Sequence, residues 1–476
     1  MAFYFYDLET SGINARAQRI MQFAGQRTDE NFQSLGEPQN WLVKLSDEIL
    51  PDPDAVLITG ITPQKTLEEG YSEAEFLKLF YKEVLQPDTI ICGFNTIRFD
   101  DEFMRNTLWR NFYDPYEWQW QDGRSRWDLL DVVRMVRALR PDGITWPVDE
   151  KGQPTNRLEL LTKANGLDHE NAHDALSDVR ATIAVAQLLK QKQPKMFEYL
   201  LSVRIKKTVQ MLLNLDDPQP FVYTSGRFAN AWQKTTVVVP FAEGEHGAVL
   251  VYDLRQDPDQ LAKLDDTELS QKAFQRDSET ELLPVKALKD NKCPAVAPLG
   301  VFDTACQKRL HLSMQTVEDN LKKLRRNQDL VDRLGQLFTK RTEEMKAKFP
   351  AHADPDFQLY DGFLNDADKG RMSAVRAADM DSLVDLTLDF TDERLSQLLP
   401  RYKARNFPRS LTASERSAWE EYRRKRLARG VEGQLSFEKF AQRLAELVQI
   451  KVSDEHAQFL LQELQLYAES IAPDES

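Results

Sequence analysis

Three cysteines, Cys92, Cys293 and Cys306, are all that 476 residues contain, and no two form a Cys-x-x-Cys pair. So sparse and odd a set excludes a disulfide framework and a cysteine-based zinc finger. Long hydrophobic runs are missing too: none approaches the ~18 apolar residues that a membrane-spanning helix needs. The opening MAFYFYDLETSG has no basic leader ahead of an apolar core, which predicts a cytoplasmic protein. Positive charge is in deficit, with 62 Lys+Arg against 76 Asp+Glu and a net charge of −14. That balance argues against a globally basic nucleic-acid coat protein. Gly/Ser-rich linkers, low-complexity tracts and internal repeats are absent. What is there is ordinary globular composition, 41% hydrophobic and 10% aromatic, in a chain long enough for two to four domains of ~100–200 residues.

Three regions differ in pattern. Residues 1–190 alternate strand-like segments (FYFYDL, TIICGF) with helix-like ones (SEAEFLKLFYKEVL, ALSDVRATIAVAQLLK), an α/β arrangement. Residues 195–347 begin with the β-rich runs FVYTSGRF, TTVVVPFA and AVLVYDL, the last two joined by a glycine-containing turn at 243–247, and read as a small antiparallel β unit. Its tail, Lys308 to Lys348, turns helical and basic, with 11 Lys/Arg against 6 Asp/Glu. Residues 350–476 are almost wholly helical in pattern, as in SERSAWEEYRRKRLARG and SDEHAQFLLQELQLYAESI.

Carboxylates carry the first chemical signal. Asp7 and Glu9 end a run of four aromatics, Phe3-Tyr4-Phe5-Tyr6. Residues two apart in a strand share a face, so both acids project from one edge of a buried strand, where ligands of open α/β sheets bind. Two neighbouring acids make a hard-oxygen metal site. Asp-x-Glu alone is weak, since Asp277 and Glu279 have the same spacing with no strand before them. Asp100 follows a second strand candidate, Thr89 to Phe94, and reads equally as a third acid and as a helix cap. Asp178 lies one turn into a helix whose Ala175, Val179, Ile183 and Ala186 form an apolar face, where an aspartate is costly to bury without a cation. His173 lies five residues ahead of it, and an imidazole titrating near neutrality suits proton abstraction from water. His169 and Asp174 share that spacing, but Asp174 is better placed as a cap.

Two tracts combine aromatic rings with arginines. Residues 105–127 hold Trp109, Phe112, Tyr113, Tyr116, Trp118, Trp120 and Trp127 among Arg105, Arg110, Arg124 and Arg126. Such a mixture suits sequence-independent single-strand binding, although about half of these rings read as well as core. From Arg401 to Arg429 there are 10 Lys/Arg against 3 Asp/Glu. The cluster Arg423 to Arg426 reads as a solvated helix face, whereas RYKARNFP, with Tyr402, Arg405 and Phe407, is the better DNA candidate.

Asp-x-Glu after a first strand, Asp after a middle strand and His-x4-Asp at a late helix together resemble the DEDDh 3′→5′ exonucleases. GEPQNW, VLITGITP, FNTIRFDDEFMRNTLWRNFYDPYEW, SRWDLLDVVR, RLELLTKANGL and NAHDALSDV, with TSGRFANAW, LYDGFLNDAD and RYKARNFP further on, are similar to the bacterial exonuclease I type. The likeness runs over essentially the whole chain. It implies a ribonuclease H-like mixed-sheet exonuclease domain, an SH3-like β domain and a helical C-terminal domain that together clamp single-stranded DNA, in a cytoplasmic monomer of DNA repair and recombination. It implies Asp7, Glu9, Asp100 and Asp178 as holders of two Mg2+ ions, with Mn2+ as a substitute, and His173 as general base. It implies Glu9 and Arg157 on the terminal nucleotide, and Arg105, Tyr116, Trp120, Arg134, Tyr360, Tyr402, Arg405 and Phe407 along the strand. The loop Thr59-Gly60-Ile61 has the look of backbone and an apolar wedge against the terminal base, or of an ordinary glycine turn. The acidic tail of single-stranded DNA-binding protein is the implied partner, with Arg140 and Lys308 to Lys348 available to it. The rival readings are a 3′ exonuclease of RNA or oligoribonucleotides and a non-catalytic single-strand DNA-binding protein.

Overall fold

A computed structural model describes residues 2–167, 174–274, 284–348 and 352–472. The first region is built on a five-stranded mixed sheet of β1 (Ala2–Thr10), β2 (Ile20–Thr28), β3 (Gln39–Leu42), β4 (Thr89–Gly93) and β5 (Ser125–Asp128), in the order β3-β2-β1-β4-β5. Its β1–β2 and β2–β3 pairs are antiparallel, and its β1–β4 and β4–β5 pairs are parallel. β1 is central because both its faces are apolar. Phe3 and Phe5 enter one core cluster with Phe32, Trp127 and Val179, while Tyr4, Tyr6 and Leu8 enter another with Phe23, Phe76, Phe103 and Trp118. Gly93 lets β4 finish against β1, since a Cβ there would lie 2.6 Å from the Tyr6 carbonyl oxygen.

The second region carries the predicted antiparallel unit: β6 (Phe221–Thr224), β7 (Thr235–Glu243), β8 (Ala248–Asp253), β9 (Val285–Lys289) and β10 (Ala295–Pro298), in the order β10-β6-β7-β8-β9. The sequence reading anticipates β6, β7 and β8 but not the short β9 and β10, whose exposed Lys289 and terminal Pro298 mask the alternation. The helices Thr304–Leu310, Met314–Arg326 and Gln328–Lys348 follow. The core of this region is continuous with that of the first.

From Asp366 to Ile471 the chain is helical. These helices dock on the first region through two apolar clusters. Leu45, Ile49 and Val56 meet Leu427, Phe440 and Tyr467 in one, and Ala74, Trp109 and Phe112 meet Leu359, Leu398 and Tyr402 in the other. Among the described residues no helix is long and apolar enough to cross a membrane.

Candidate active site

The alternation that buries Phe3 and Phe5 also projects Asp7 and Glu9 from the same face of β1. Both acids lie past Phe5↔Cys92, the last parallel pair with β4, and the antiparallel register with β2 shifts at Glu9/Thr10. The strand is thus freed of one neighbour where the carboxylates stand. The helix Ala175–Lys192 crosses this face with Ala175 and Val179 in the core, which turns Asp178 toward β1. Carboxylate oxygens of Asp7, Glu9 and Asp178 all come within 4.8 Å of one another. Asp174 caps that helix, its carboxylate accepting the Ser177 amide at 3.0 Å.

Asp100 is the first residue of the helix Asp100–Arg110 and makes no side-chain cap. Its Oδ1 instead accepts the backbone amide of Leu8 at 3.1 Å, between Asp7 and Glu9 in sequence. The cap reading of Asp100 is thus not borne out, and its carboxylate instead bonds β1 beside Asp7 and Glu9. His173 lies outside the described residues.

The acids perturb one another. Burial, followed by the charges of Asp100, Asp178 and Asp174, holds the Asp7 carboxyl well above the usual range. Burial and then Asp7, Asp178 and Asp174 push Glu9 up to about 9. Asp100 is held high by burial first, against the pull of backbone amides. Carboxylates crowded this way repel one another, and a cation among them offsets that repulsion. An oxygen-only donor set fits a hard divalent cation of the Mg2+ type, which takes carboxylates and keeps waters.

The residues expected on the strand divide. Trp120 is 62% exposed and Tyr360 45% exposed, and Tyr360 hydrogen-bonds Glu102 across the cleft between the first and third regions. That cleft, of about 540 Å³, is lined by Arg16, Arg98, Phe99 and Tyr360 among others. Tyr116 is half-buried, with Arg105 over its ring. Arg105 itself is buried and committed to Glu102 and Gln119. Arg134 is half-buried on Asp131 at 2.7 Å, beside Gly226 of the β unit. Arg157 is exposed at the start of the helix Leu158–Ala164.

The expectation of Tyr402, Arg405 and Phe407 on the strand is corrected. Tyr402 is 1% exposed and packs edge-on to Phe112 in an inter-domain core, Phe407 packs against Tyr402, and the Arg405 guanidinium is buried between two carboxylates. RYKARNFP is therefore a domain-docking segment, not a surface for DNA. Ile61 is no wedge either: it is buried, and Gly60 ends the helix Pro53–Thr59 with φ 69°. Trp109, Phe112, Tyr113, Trp118 and Trp127 are core residues.

Sequence reasoning passes over Tyr6 and Asp101, which stand beside Asp7 and Asp100 and hydrogen-bond each other at 2.6 Å. Their signal was present, since a residue next to a projecting acid faces the other side of the strand or lies a quarter-turn away on the helix, where it can brace that acid.

The fold and the acids define the class: residues 4–186 match the family model of the exonuclease domain, residues 204–340 the exonuclease I SH3-like domain, and residues 353–471 the exonuclease I C-terminal domain. The chain is 40% identical to exodeoxyribonuclease I of Haemophilus influenzae over 452 residues, 94% of each chain. It superposes on crystalline Escherichia coli exonuclease I in complex with a dA16 oligonucleotide with a TM-score of 0.93, at 40% identity, covering 99% of this chain and 100% of that one. A structure of single-stranded DNA-binding protein/exonuclease I in complex with an inhibitor is similar too, with a TM-score of 0.89 at 39% identity and 99% coverage of both chains. The protein belongs to the bacterial exonuclease I family of DEDD exonucleases and is a phosphodiester-cleaving nuclease.

Proposed function

We propose that the protein degrades single-stranded DNA from its 3′ end, releasing 5′-mononucleotides, with Asp7, Glu9, Asp100 and Asp178 holding Mg2+. The observation that carries this reading is the convergence of Asp7, Glu9 and Asp178 oxygens within 4.8 Å, where the helix Ala175–Lys192 crosses the end of β1. Divalent cations bound there supply Lewis acidity at the scissile phosphate. The chain's own groups do the rest. Leu8 fixes Asp100 through its amide, the exposed guanidinium of Arg157 binds the terminal nucleotide, and His173 takes the proton of the attacking water.

The units are a catalytic domain at 1–190, an SH3-like domain with its helical extension at 195–347, and a helical clamp at 350–476. Trp120, Tyr116 and Tyr360 supply ring faces for unpaired bases, and Arg134, beside the SH3-like domain, binds phosphate. Because arginines and lysines of several elements grip one strand, affinity falls steeply with salt and many nucleotides are removed per encounter. The acidic tail of single-stranded DNA-binding protein docks near Arg140. That residue lies at the seam of the first two domains, hydrogen-bonded to the Val301 carbonyl at 3.0 Å.

Digestion of 5′-labelled single-stranded DNA, its RNA analogue and a blunt duplex, with Mg2+ and with EDTA, tests the reading. A ladder shortening from the 3′ end, confined to single-stranded DNA with Mg2+, is expected. Activity unaffected by EDTA, or release of the label as the first product, contradicts it.

A further inference from the structure

Behind the acids lies a second buried charge. Asp101, 2% exposed, stands next to Asp100 at the start of its helix and faces the opposite side of β1 from Asp7 and Glu9. Its Oδ1 accepts the Tyr6 hydroxyl at 2.6 Å, and its Oδ2 accepts Arg126 of β5. Arg126 continues outward, with Nη2 donating to the Asn291 carbonyl of the SH3-like domain at 2.8 Å and its own carbonyl accepting the Cys293 thiol at 3.3 Å. Tyr6 precedes Asp7 and Asp101 follows Asp100. The Tyr6–Asp101 link and the Leu8–Asp100 link at 3.1 Å therefore staple β1 to the helix on both sides of Asp7.

We infer that Asp101 is a positioning residue for the metal-holding acids, and that Tyr6 and Arg126 orient it, so that docking of the SH3-like domain is transmitted to the separation of Asp7 from Asp100. This rests on the metal reading of the acid cluster proposed above. The geometry favours positioning over plain stability. Asp101 divides its two oxygens between the catalytic strand and the arginine that reaches the neighbouring domain, with Arg105 Nη2 3.9 Å from Oδ2 as well, so the same carboxylate that is satisfied by burial partners also ties the acid-bearing helix to both. Supporting partners of this kind change metal affinity or turnover by ~10–100-fold when removed.

Asp101→Asn and the milder Tyr6→Phe, each in the full chain, test the inference beside the unaltered protein. Three quantities are read: kcat and KM on single-stranded DNA, the half-saturating Mg2+ concentration, and Ca2+ binding by calorimetry without turnover. Expected are a kcat lower by ~10-fold or more for D101N, a smaller loss for Y6F, a raised Mg2+ requirement and weakened Ca2+ binding in both, and a Tyr6→Phe KM within about twofold of the original. Arg126→Met should shift the Mg2+ requirement in the same direction. Unchanged kcat and cation affinity in Y6F and D101N, with any change confined to melting temperature, overturns the inference. If the unaltered protein itself neither needs nor binds a divalent cation, the metal reading fails instead.

Discussion

Arg405 of the C-terminal domain and Glu48 of the catalytic domain form an inter-domain ion pair, Nε to Oε1 at 2.9 Å, in which neither side chain is more than 2% exposed. The same guanidinium holds Asp356 through Nη1 at 3.0 Å, and Glu48 also takes Arg19 Nη2 at 2.9 Å. Truncating one member of a buried pair strands the others without compensation, at a cost of ~3–5 kcal/mol. Arg405→Ala should lose that much in urea unfolding. Arg424→Ala, which breaks an exposed pair with Glu421, should lose less than ~1 kcal/mol.

This network sets an acid limit. Burial pushes the Glu48 carboxyl up, but Arg405, Arg19 and Arg426 outweigh it and bring it down to about 2. Asp356, likewise buried, is held well below its usual value by Arg405 and Arg401. Folded-state values below the unfolded ones of ~4.3 and ~3.9 mean that the stabilisation is complete above roughly pH 5 and is lost as pH falls toward the folded values. Unfolding free energy measured against pH should fall across that window. In Glu48→Gln the fall should be shallower.

Two neighbouring tryptophans should separate binding from folding. Trp120 is 62% exposed, and its truncation to alanine should weaken single-strand affinity by ~1–3 kcal/mol, or about 5- to 150-fold, with little change in melting temperature. Trp118 is fully buried between Tyr6 and Phe80, and Trp118→Ala should cost ~3–5 kcal/mol of stability. Fluorescence anisotropy and thermal melts of the pair check both.

Asp7→Asn removes one of several mutually repelling acids. In EDTA the variant should melt at or above the temperature of the parent protein. With Mg2+ it should lose more than ~100-fold in turnover, beyond the loss typical of a supporting residue. A variant that melts lower in EDTA and keeps its activity would show that the acids neither repel nor work together.

Much of this was legible in the residues. The aromatic run before Asp7 marks a strand buried on both faces, and the period of Ala175, Val179, Ile183 and Ala186 places Asp178 on the helix that crosses it. What could not be read was partnership over long separations. RYKARNFP has the composition of a nucleic-acid surface, yet Glu48 and Asp356, 357 and 49 residues away from Arg405, turn it into a buried dock. The exposure of Trp120 beside the burial of Trp118 is likewise set by tertiary packing, because both lie in one short irregular stretch with no period to separate them. Tyr6 and Asp101 were hidden for a related reason: each sits beside a more conspicuous acid and acts on the face that the alternation turns away from it.

The most direct measurement of the central claim is an anomalous difference map from crystals soaked in Mn2+ with a short single-stranded oligonucleotide. A peak is expected within coordinating distance of Asp7, Glu9 and Asp178, and it should vanish in Asp7→Asn. Absence of any peak at these carboxylates, under conditions in which Mn2+ supports digestion of the same oligonucleotide, would contradict the assignment of the active site.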